Sequence, residues 1–567
     1  MIRLTTLASF VAATAIAQGQ GGTSVPAGSV SGIWTASDSP FSIQGDLNVG
    51  FLEIEPGVEI VLEGNFEISV GGTLHAEGTE SQPIRFQPIT GTWKGLLFDH
   101  TQPGSRLHHC VIQGASQSGV RCFDSAPEII DCIFESNSAP SSGVVPSTGL
   151  NSGGGGGGLR IFCTRPLDFE LVGCTFSGNS SSVNGGGLRA ILAGGHLTLV
   201  DCDFVGNGAT SGGSCDRGGG GAFTNSDSTI RNCQFRGNAC SASGSCSTVA
   251  RGGGLFLGGG SNASIENTRF NNNVVSASES VPFGGGSATA RGGGLAVVGS
   301  SADLVNCLIS CNSTSASGSG TVKQASGLLV ESSVVDIDHC TIARNGDDGI
   351  RGIGSSEISA INSIVWENAS SGIAGSLGSG SITYTCVQGT PLFPGVGNIN
   401  FNPAFEGTGC SCADLRISIG SPCVNAADPA SESDVCFPPS WGGGPLGLDN
   451  PEAPDMGAFG GPLACNWSST ICPPPSAEFT RGDCNQDADL DVADAVASLD
   501  ILFVGATSPD CDDACDANDD GGFDIADVVY LLEGLFSMGA LPAPPSGQCG
   551  PDPTLDSLSC VAFDPCP

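Results

Sequence analysis

The chain has 567 residues, of which 57 are acidic and 19 basic, giving a formal net charge of −38. This negative charge argues against binding to nucleic acid or to anionic membrane surfaces and makes divalent cations the natural partners. A hydrophobic content of 39% is too high for wholesale disorder, and 87 glycines without a three-residue period exclude collagen.

The chain begins with the features of a secretory signal peptide over residues 1–17. Arg3 precedes an apolar run over residues 4–13, and residues 15–17 form a cleavage site of small residues. No later apolar run reaches the roughly eighteen residues that a membrane-spanning helix needs. The 26 cysteines, an even number, are compatible with disulfides in an oxidising compartment. We therefore expect a secreted or cell-surface protein without a membrane span.

A repeated phrase dominates the chain between residues 110 and 386. It consists of cysteine, any residue, phenylalanine or isoleucine, two further residues and asparagine, and two copies vary the first position. Apolar residues alternate before and within each copy, which puts side chains such as Leu197, Leu199 and Phe204 on one buried face. The asparagines that end the copies are Asn137, Asn179, Asn207, Asn238, Asn273, Asn312, Asn345 and Asn368.

A second phrase, three glycines followed by leucine, precedes several copies of the first. It occurs at residues 185–188, 252–255 and 292–295. Each unit therefore supplies two or three short strands with one buried face and a tight corner. Since such a unit is too small to fold alone, we expect the units to stack and bury their faces against one another.

Gly/Ser-rich stretches separate many of the units and account for their unequal lengths. We interpret these stretches as surface insertions. Cys215, Cys240 and Cys246 lie in them and are disulfide candidates. The cysteines of the repeated phrase fall in the inward phase instead, so we expect them to form an apolar ladder.

Stacked units of this kind predict a right-handed parallel β-helix over residues 18–460, with coils about 4.8 Å apart and the corner asparagines forming a ladder. The sequence resembles the right-handed β-helix repeat superfamily of pectate-lyase-like proteins. Its glycine and Phe-x-x-Asn phrases are also similar to the repeats of polymorphic outer-membrane proteins. Residues 72–79 look like an entry coil of that superfamily, and residues 420–426 and 455–459 look like its closing phrases. The resemblance implies a mainly β fold.

Enzymes of this superfamily place acidic residues and a basic residue on neighbouring coils. Polygalacturonases use paired aspartates near a histidine and an Arg-Lys pair, since glycoside hydrolysis needs one protonated and one ionised carboxyl group. Asp347 and Asp348 look like that pair, but the companion motifs are missing and the two follow a repeat asparagine, where aspartate is an ordinary turn residue. Polysaccharide lyases need an Arg or Lys base, and neither Lys94 nor Lys323 adjoins an acidic cluster in sequence. We interpret Asp347 and Asp348 as turn residues.

Three arginines, Arg217, Arg251 and Arg291, stand immediately before glycine runs. If the runs stack, their guanidinium groups line one edge of an otherwise acidic protein. Such a line is a candidate site for a carboxylated or sulfated polysaccharide, because guanidinium groups bind these anions bidentately. The alternative is pairing with local acids such as Asp216, or simple solvation, and the sequence leaves both open.

The C-terminal part of the chain changes in composition. Three prolines at residues 473–475 mark a linker over 461–478. A separate module is predicted over residues 479–540. The Cys/Pro-rich tail that follows, residues 541–567, is expected to fold back on this module through disulfides.

The module holds two copies of a calcium-loop pattern, loop 1 (483–494) and loop 2 (516–527). Carboxylate or amide oxygens fall at positions 1, 3, 5, 9 and 12 of each loop, with a backbone carbonyl at position 7, which is how a twelve-residue loop surrounds one hard cation. Loop 1 has Ala488 where loop 2 has the turn glycine Gly521, so we expect loop 1 to bind calcium more weakly. The predicted ligands are Asp483, Asn485, Asp487, Asp489, Asp491 and Asp494 in loop 1, and Asp516, Asn518, Asp520, Gly522, Asp524 and Asp527 in loop 2.

Both loops are followed by an apolar helix, and together they resemble a type I dockerin, a module of two calcium loop–helix repeats. The resemblance covers residues 479–540 and implies two bound calcium ions and docking to a cohesin domain. In dockerins, residues at loop positions 10 and 11 help to set the choice of partner. These positions hold Val492-Ala493 and Ile525-Ala526 in place of the Ser/Thr pair of the best-known members, so the identity of the partner stays open.

The sequence as a whole predicts a secreted, calcium-binding modular protein. Its β-helix would present a surface for contact with glycan or protein, and its C-terminal module would anchor or assemble it. The alternative is a polysaccharide lyase or glycoside hydrolase that acts on acidic polysaccharide. That alternative rests on the scaffold and on the enzymes that dockerins carry, which is an argument by analogy.

Overall fold

The computed structural model describes residues 22–142, 145–149, 153–211, 218–244, 247–279, 287–318, 320–418, 420–431, 454–460, 463, 479–504, 511–537, 542–547, 549–550, 558, 560, 563 and 566. The signal peptide and all of the predicted linker except Leu463 lie outside these residues. The chain forms two compact units, one within residues 17–471 and the other within 472–567. Among the described residues, no helix is long and apolar enough to cross a membrane.

The larger unit is a parallel β-helix-like stack. Each coil adds one strand to each of several long sheets, and each strand pairs in parallel with its counterpart in the next coil. Sheet A has fourteen strands. They are Thr23–Val25, Phe41–Ile43, Glu59–Leu62, Ile84–Pro88, Cys110–Gln113, Ile133–Glu135, Thr175–Ser177, Asp203–Val205, Gln234–Arg236, Arg269–Asn271, Leu308–Ser310, Thr341–Ala343, Ile364–Trp366 and Cys386–Val387.

A second sheet begins with three long strands, Gly28–Trp34, Leu47–Ile54 and Glu67–Glu77, and then divides into two branches, here sheets B and C. Sheet B continues as Gly95–Asp99, Val120–Phe123, Leu159–Cys163, Leu188–Leu192, Gly221–Thr224, Leu255–Gly258, Leu295–Val298, Leu328–Glu331, Ile350–Ile353 and Ile373–Gly375. Sheet C continues as Arg106–His108, Glu128–Ile130, Phe169–Val172, His196–Val200, Asp227–Arg231, Asn262–Glu266, Ser301–Val305, Val334–Asp338, Glu357–Ile361 and Ile382–Thr383.

The Gly/Ser-rich stretches, predicted as surface insertions, form two further sheets, so that prediction is wrong for much of their length. Their small side chains alternate with period two, and the inward ones, Cys240 among them, make an apolar cluster with Ala209, Val275 and Ala290. Cys240 is thus buried in a strand rather than placed in a loop, and Cys215 and Cys246 lie outside the described residues. Sheet D consists of Ser138–Ala139, Ser180–Ser181, Gly208–Ser211, Ala239–Gly244, Val274–Glu279 and Ser313–Ser317, and sheet E of Thr248–Arg251, Ala288–Arg291 and Thr321–Gln324.

Stacked phenylalanines fill the interior of the coils, as the repeated phrase predicts. Phe176, Phe204 and Phe235 are wholly buried, and their rings lie parallel with centroids 4.6 and 4.5 Å apart on successive coils. The predicted cysteine ladder is also confirmed. Cys132 and Cys202 are buried free thiols, and the Cys202 thiol donates to the backbone carbonyl of Val200, so these side chains pack as small apolar groups.

The predicted asparagine ladder is confirmed at all eight positions. The Nδ2 group of Asn207 donates to the backbone oxygen of Phe176 at 2.8 Å and to Oδ1 of Asn238 at 3.0 Å. Oδ1 of Asn207 accepts from the backbone N–H of Asn179. Each buried amide therefore satisfies backbone groups at the corner of the preceding coil, and all but the last contact the amide of the next asparagine, which removes the penalty of burying turn backbone.

The glycine runs form the corner that faces this ladder. Gly252 is left-handed at φ 69°. A Cβ atom on Gly253 would lie 2.4 Å from the carbonyl oxygen of Gly293 in the next coil, and one on Gly254 would lie 3.0 Å from Nδ2 of Asn273. The glycine phrase and the asparagine phrase therefore contact each other in the folded coils. Only glycine lets the corner approach the asparagine amides so closely.

Sheet C joins sheet A through a single left-handed residue, as at Asp201 (φ 53°) and Asn232 (φ 50°). After the last coils the chain returns to contact earlier ones. A disulfide links Cys311 to Cys410, and Nδ2 of Asn306 donates to the carbonyl oxygen of Ala458 at 2.9 Å. Short 3₁₀ helices span Ala36–Asp38 and Ala413–Leu415.

The smaller unit contains two helices, α1 (Val492–Leu499) and α2 (Ile525–Phe536), each directly after one of the two loops. A π-helical turn, Asp500–Val504, extends α1, and a 3₁₀ turn, Asp512–Ala514, precedes loop 2. The helices pack through a cluster of Ala495, Ala517, Val528 and Leu531. The tail is tied back as predicted, because Cys560 forms a disulfide with Cys511, and a second bridge joins Cys549 to Cys566.

Candidate functional site

Each loop is fixed to its helix by a pair of aspartates. Asp491 caps α1 by accepting from the N–H of Ala493 at 2.6 Å, and Asp494 accepts from the N–H of Asp491 at 2.8 Å. Loop 2 repeats this capping box with Asp524 and Asp527 at the same two distances. The aspartates at positions 9 and 12 therefore start the helices as well as closing the loops, which is what capping carboxylates do at helix N-termini.

The first aspartate of each loop folds the loop around itself. Both oxygens of Asp483 accept backbone N–H groups, from Asp487 at 3.1 Å and from Ala488 at 3.0 Å. Asp516 accepts in the same way from Asp520 at 3.3 Å and from Gly521 at 2.9 Å. Loops 33 residues apart in sequence thus share one hydrogen-bond pattern, as expected if both serve one chemical purpose.

Burial changes the titration of these carboxyl groups. It raises the pKa of Asp494 and of Asp527 to about 6, and the charge of Asp516 adds to the effect at Asp527. Burial also raises the pKa of Asp483, against the hydrogen bonds that its carboxylate accepts. Each loop thus brings several carboxylates together in a partly dry environment, where a compensating positive charge would be favourable.

The donor set fits calcium by type, because every predicted side-chain ligand is a carboxylate or amide oxygen and calcium takes six to eight oxygens at about 2.3–2.6 Å. Among the described residues, no three His, Cys, Asp or Glu side chains converge closely enough to form a metal cluster. The carboxylates hold backbone N–H groups instead. Cation binding would therefore require the oxygens at positions 1, 3, 5 and 12 to draw closer together.

Both loops turn through left-handed residues at positions 4 and 6. In loop 1 these are Gln486 (φ 59°) and Ala488 (φ 72°), and in loop 2 they are Asp519 (φ 61°) and Gly521 (φ 81°). A residue with a Cβ in this conformation costs roughly 1–2 kcal/mol relative to its ordinary backbone states. Loop 1 therefore adopts the same backbone conformation as loop 2, but at a higher conformational free energy.

Arg481, which lies outside the two loops in sequence, stabilises loop 2. It is the only lysine or arginine after Arg416, and it is wholly buried. Its Nη1 donates to the carbonyl oxygen of Asp516 at 3.0 Å, its Nη2 pairs with Oδ1 of Asp519 at 2.9 Å, and its guanidinium lies over the ring of Phe479. The single basic side chain of the smaller unit thus serves the loop rather than the surface.

Large apolar side chains lie exposed on the two helices at equivalent positions. Val492 and Ile525, both at loop position 10, are 49% and 47% exposed. Four more positions repeat the pattern with the same 33-residue offset. They are Val496 and Val529, at 52% and 51%, and Phe503 and Phe536, at 69% and 70%.

The predicted arginine line is present in part. Arg251 and Arg291 are register partners on neighbouring strands of sheet E, whereas Arg217 lies outside the described residues. Glu331 on sheet B pairs with both: it binds Arg251 through two contacts of 3.0 and 3.1 Å and lies 3.7 Å from Arg291. Both side chains are mostly buried, at 17% and 20% exposed. This contact is pairing with a protein carboxylate, the alternative that the sequence left open, although the acid is Glu331.

A groove of about 350 Å³ lies on the outer face of sheet C. Asp303, Asp336 and Asp338 line it together with apolar side chains such as Val305 and Ile361. Burial, with the adjacent charge of Asp336, raises the pKa of Asp303. No arginine or lysine is among its described lining residues.

The aspartate pair beside the repeat asparagine serves the local structure. Asp348 is 1% exposed and forms an ion pair with Arg351 at 2.6 Å. His339 is wholly buried, with Nδ1 2.8 Å from Asp338. The ion pair between Asp348 and Arg351 favours the interpretation of Asp347 and Asp348 as turn residues.

Sequence reasoning missed four residues that organise these sites. Cys484, at position 2 of loop 1, forms a disulfide with Cys515, the residue immediately before loop 2. The only sequence signal was the presence of both cysteines beside the loops. Arg481 had the signal of being the lone base in an acidic segment, whereas Glu331 had none, because 80 residues separate it from Arg251.

No family model, curated protein or solved structure matches the chain. Function therefore has to be inferred from the paired loops, the exposed apolar positions and the charged clusters themselves.

Proposed function

We propose that this protein is a secreted, calcium-dependent docking protein. A right-handed parallel β-helix would form its body, and a dockerin-like module of two calcium loop–helix repeats would attach it to a partner such as a cohesin-type domain. The disulfides Cys311–Cys410 and Cys511–Cys560, together with the signal-like N-terminus, support an oxidising compartment.

The observation that carries this proposal is the duplicated set of exposed apolar side chains on α1 and α2. Isolated exposed valines are ordinary, but three pairs of exposed apolar side chains that recur at one offset favour an apolar contact surface. Such surfaces mark protein–protein contacts more often than glycan contacts, which use aromatic platforms and polar groups. The module therefore has a surface suited to a protein partner.

Calcium is supported by the shared geometry of the loops. Each collects buried carboxylates, turns left-handed at positions 4 and 6, and ends in a capping box. Binding of a cation at each loop would offset the repulsion among these carboxylates and order the helices that follow. Docking would then depend on calcium, because the apolar side chains lie on those helices.

The test uses the full chain, isothermal titration with calcium chloride, and retention on an immobilised type I cohesin domain with calcium or EDTA. We expect two calcium sites, with the tighter one lost in Asp516→Ala and kept in the control Asp336→Ala, whose aspartate lies on sheet C. Retention should require calcium and should fall in Val496→Asp/Val529→Asp. A parent protein that binds no calcium would overturn the proposal. Calcium binding without retention would exclude the cohesin-type partner alone.

Contact of Arg217, Arg251 and Arg291 with acidic polysaccharide stays a prediction. Glu331 would have to be displaced from Arg251 before an external anion could bind there bidentately. The enzymatic alternative has the carboxylates of the sheet C groove in its favour, but no arginine or lysine is among the described residues that line the groove. We therefore place docking ahead of catalysis.

A further inference from the structure

A covalent bond joins the two candidate cation loops. Cys484 at position 2 of loop 1 is bonded to Cys515, which directly precedes Asp516, the first residue of loop 2. The bond closes a segment with a sequence separation of 31 residues that contains α1 and most of loop 1. Neither cysteine side chain is exposed, at 3% and 1%.

Non-covalent contacts reinforce the same junction. Gly482, just before loop 1, donates its N–H to the carbonyl oxygen of Ala514 at 2.8 Å, and Arg481 reaches Asp516 and Asp519. The start of loop 1 therefore lies against the start of loop 2. Both loops begin with a buried aspartate, so this junction fixes the position of the first carboxylate of each loop.

We infer that the Cys484–Cys515 disulfide is a covalent clamp that keeps both loops competent to bind cations. The intact bond removes chain entropy from the cation-free state and holds the two loops in register. Without the bond, their alignment is left to Arg481, a few hydrogen bonds and the apolar cluster between α1 and α2. Apparent cation affinity then falls, because it scales with the fraction of molecules whose loops are competent. This inference rests on the proposed calcium function and adds a covalent requirement to it.

The chemistry of release is a thiol–disulfide exchange with a dithiol reductant. The reductant supplies two electrons and two protons, the Cys484–Cys515 S–S bond breaks, and two thiols form while the reductant closes to its own cyclic disulfide. Since reduction also affects the other bridges, substitution separates the effects. Cys484→Ser/Cys515→Ser removes the clamp alone, and Cys549→Ser/Cys566→Ser removes a bridge of the tail as the matched control.

The experiment titrates calcium chloride into the full-length parent and the two double variants, and follows hydrogen exchange at residues 516–521 without calcium. We expect the clamp variant to lose at least about tenfold in affinity at both loops and to exchange faster, while the tail variant stays within about threefold of the parent.

Parental affinity in the clamp variant would overturn the inference and leave the proposed function intact. Equal losses in both variants would also overturn it, because any bridge would then serve. A parent that binds no calcium would overturn the proposed function and the inference with it. Faster exchange in a clamp variant whose far-ultraviolet circular dichroism matches the parent separates loop release from general unfolding.

Discussion

The phenylalanine stack of the β-helix and the paired loops of the smaller unit are both built by repetition. Repetition stabilises the stack but gathers charges that repel one another in the loops. In the stack, identical rings 4.5 to 5.0 Å apart bury apolar surface, so each further copy adds a favourable contact. In the loops, the repeated residues are buried carboxylates, so each copy contains repulsion among its own acidic side chains. Apolar repeats stabilise themselves, whereas charged repeats need a counter-charge or a covalent link.

The largest expected effect comes from moving a carboxylate from one region into the other. Phe204→Asp places an unpaired carboxylate in the stack between Phe176 and Phe235 and should destabilise the larger unit by about 4 kcal/mol or more. Thermal unfolding measured by circular dichroism should show the loss. Ser241→Ala on sheet D, which removes only a hydroxyl contact with Ser276, is the control and should cost under about 1 kcal/mol. Equal tolerance at the two positions would contradict the inward register of the stack.

The asparagine ladder provides the polar counterpart within the larger unit. Asn207→Ala leaves the backbone N–H of Asn179 and the carbonyl of Phe176 without their side-chain partner, which should cost about 2–3 kcal/mol. Asn48→Ala, on an exposed strand position, should change the unfolding free energy by less than about 0.5 kcal/mol. Chemical denaturation with both variants measures the difference. A small loss of unfolding free energy in Asn207→Ala would show that water replaces the side-chain amide of the ladder.

One carboxylate on sheet A should behave as the loop carboxylates do without a cation. Burial raises the pKa of Asp203 to about 6, with Arg236 opposing the shift. Since the folded state then binds more protons than the unfolded one between about pH 4 and 6, this group should make the protein less stable as pH rises through that window. The contribution should be at most about 3 kcal/mol, and Asp203→Asn should abolish it.

Melting temperatures of the parent and of Asp203→Asn at pH 4.5 and pH 7 test this prediction. The melting temperature of Asp203→Asn should increase relative to that of the parent as pH rises. A difference between the two proteins that stays constant with pH would mean that Asp203 is ionised throughout.

The smallest effect should come from the one position where the two loops differ in backbone cost. Ala488→Gly relieves the left-handed strain of loop 1, worth about 1 kcal/mol, and should raise calcium affinity at that loop up to about fivefold. Gly521→Ala should lower affinity at loop 2 in the same measure. Isothermal titration resolves the two sites. Unchanged affinities in both variants would show that this turn is not part of the binding equilibrium.

Much of the larger unit was predictable because each repeated sequence phrase specifies particular contacts. The Phe-x-x-Asn phrase predicts both the inward ring and the corner amide, since the two lie on fixed sides of one short strand. Sheets D and E were missed because their inward residues are alanine, serine and cysteine, which read as loop composition. Their period-two alternation, as in residues 239–243, was present but carried little hydrophobic contrast.

The candidate sites were predictable only where the chemistry lies in one continuous segment. The order of oxygens in loops 1 and 2 is local, so the sequence displays it directly. The pairing of Glu331 with Arg251 depends on which coil lies on which, and unequal insertions hide that register in the sequence. Arg481 and Cys484 were visible as residues, but their partners could be found only by folding the two loops together.

The asparagine ladder also gives the β-helix a direction. In seven of the eight asparagines, Nδ2 donates to Oδ1 of the asparagine in the next coil, so these amides align head to tail along the stack. At one end Oδ1 of Asn137 accepts from the N–H of Ala115, and at the other the N–H of Asn368 donates to Oε1 of Gln388. The ladder is therefore closed by a backbone N–H at one end and by a side-chain amide oxygen at the other. Whole coils could be gained or lost over evolutionary time between Ala115 and Gln388 without interrupting the ladder, because each new asparagine finds the same two neighbours.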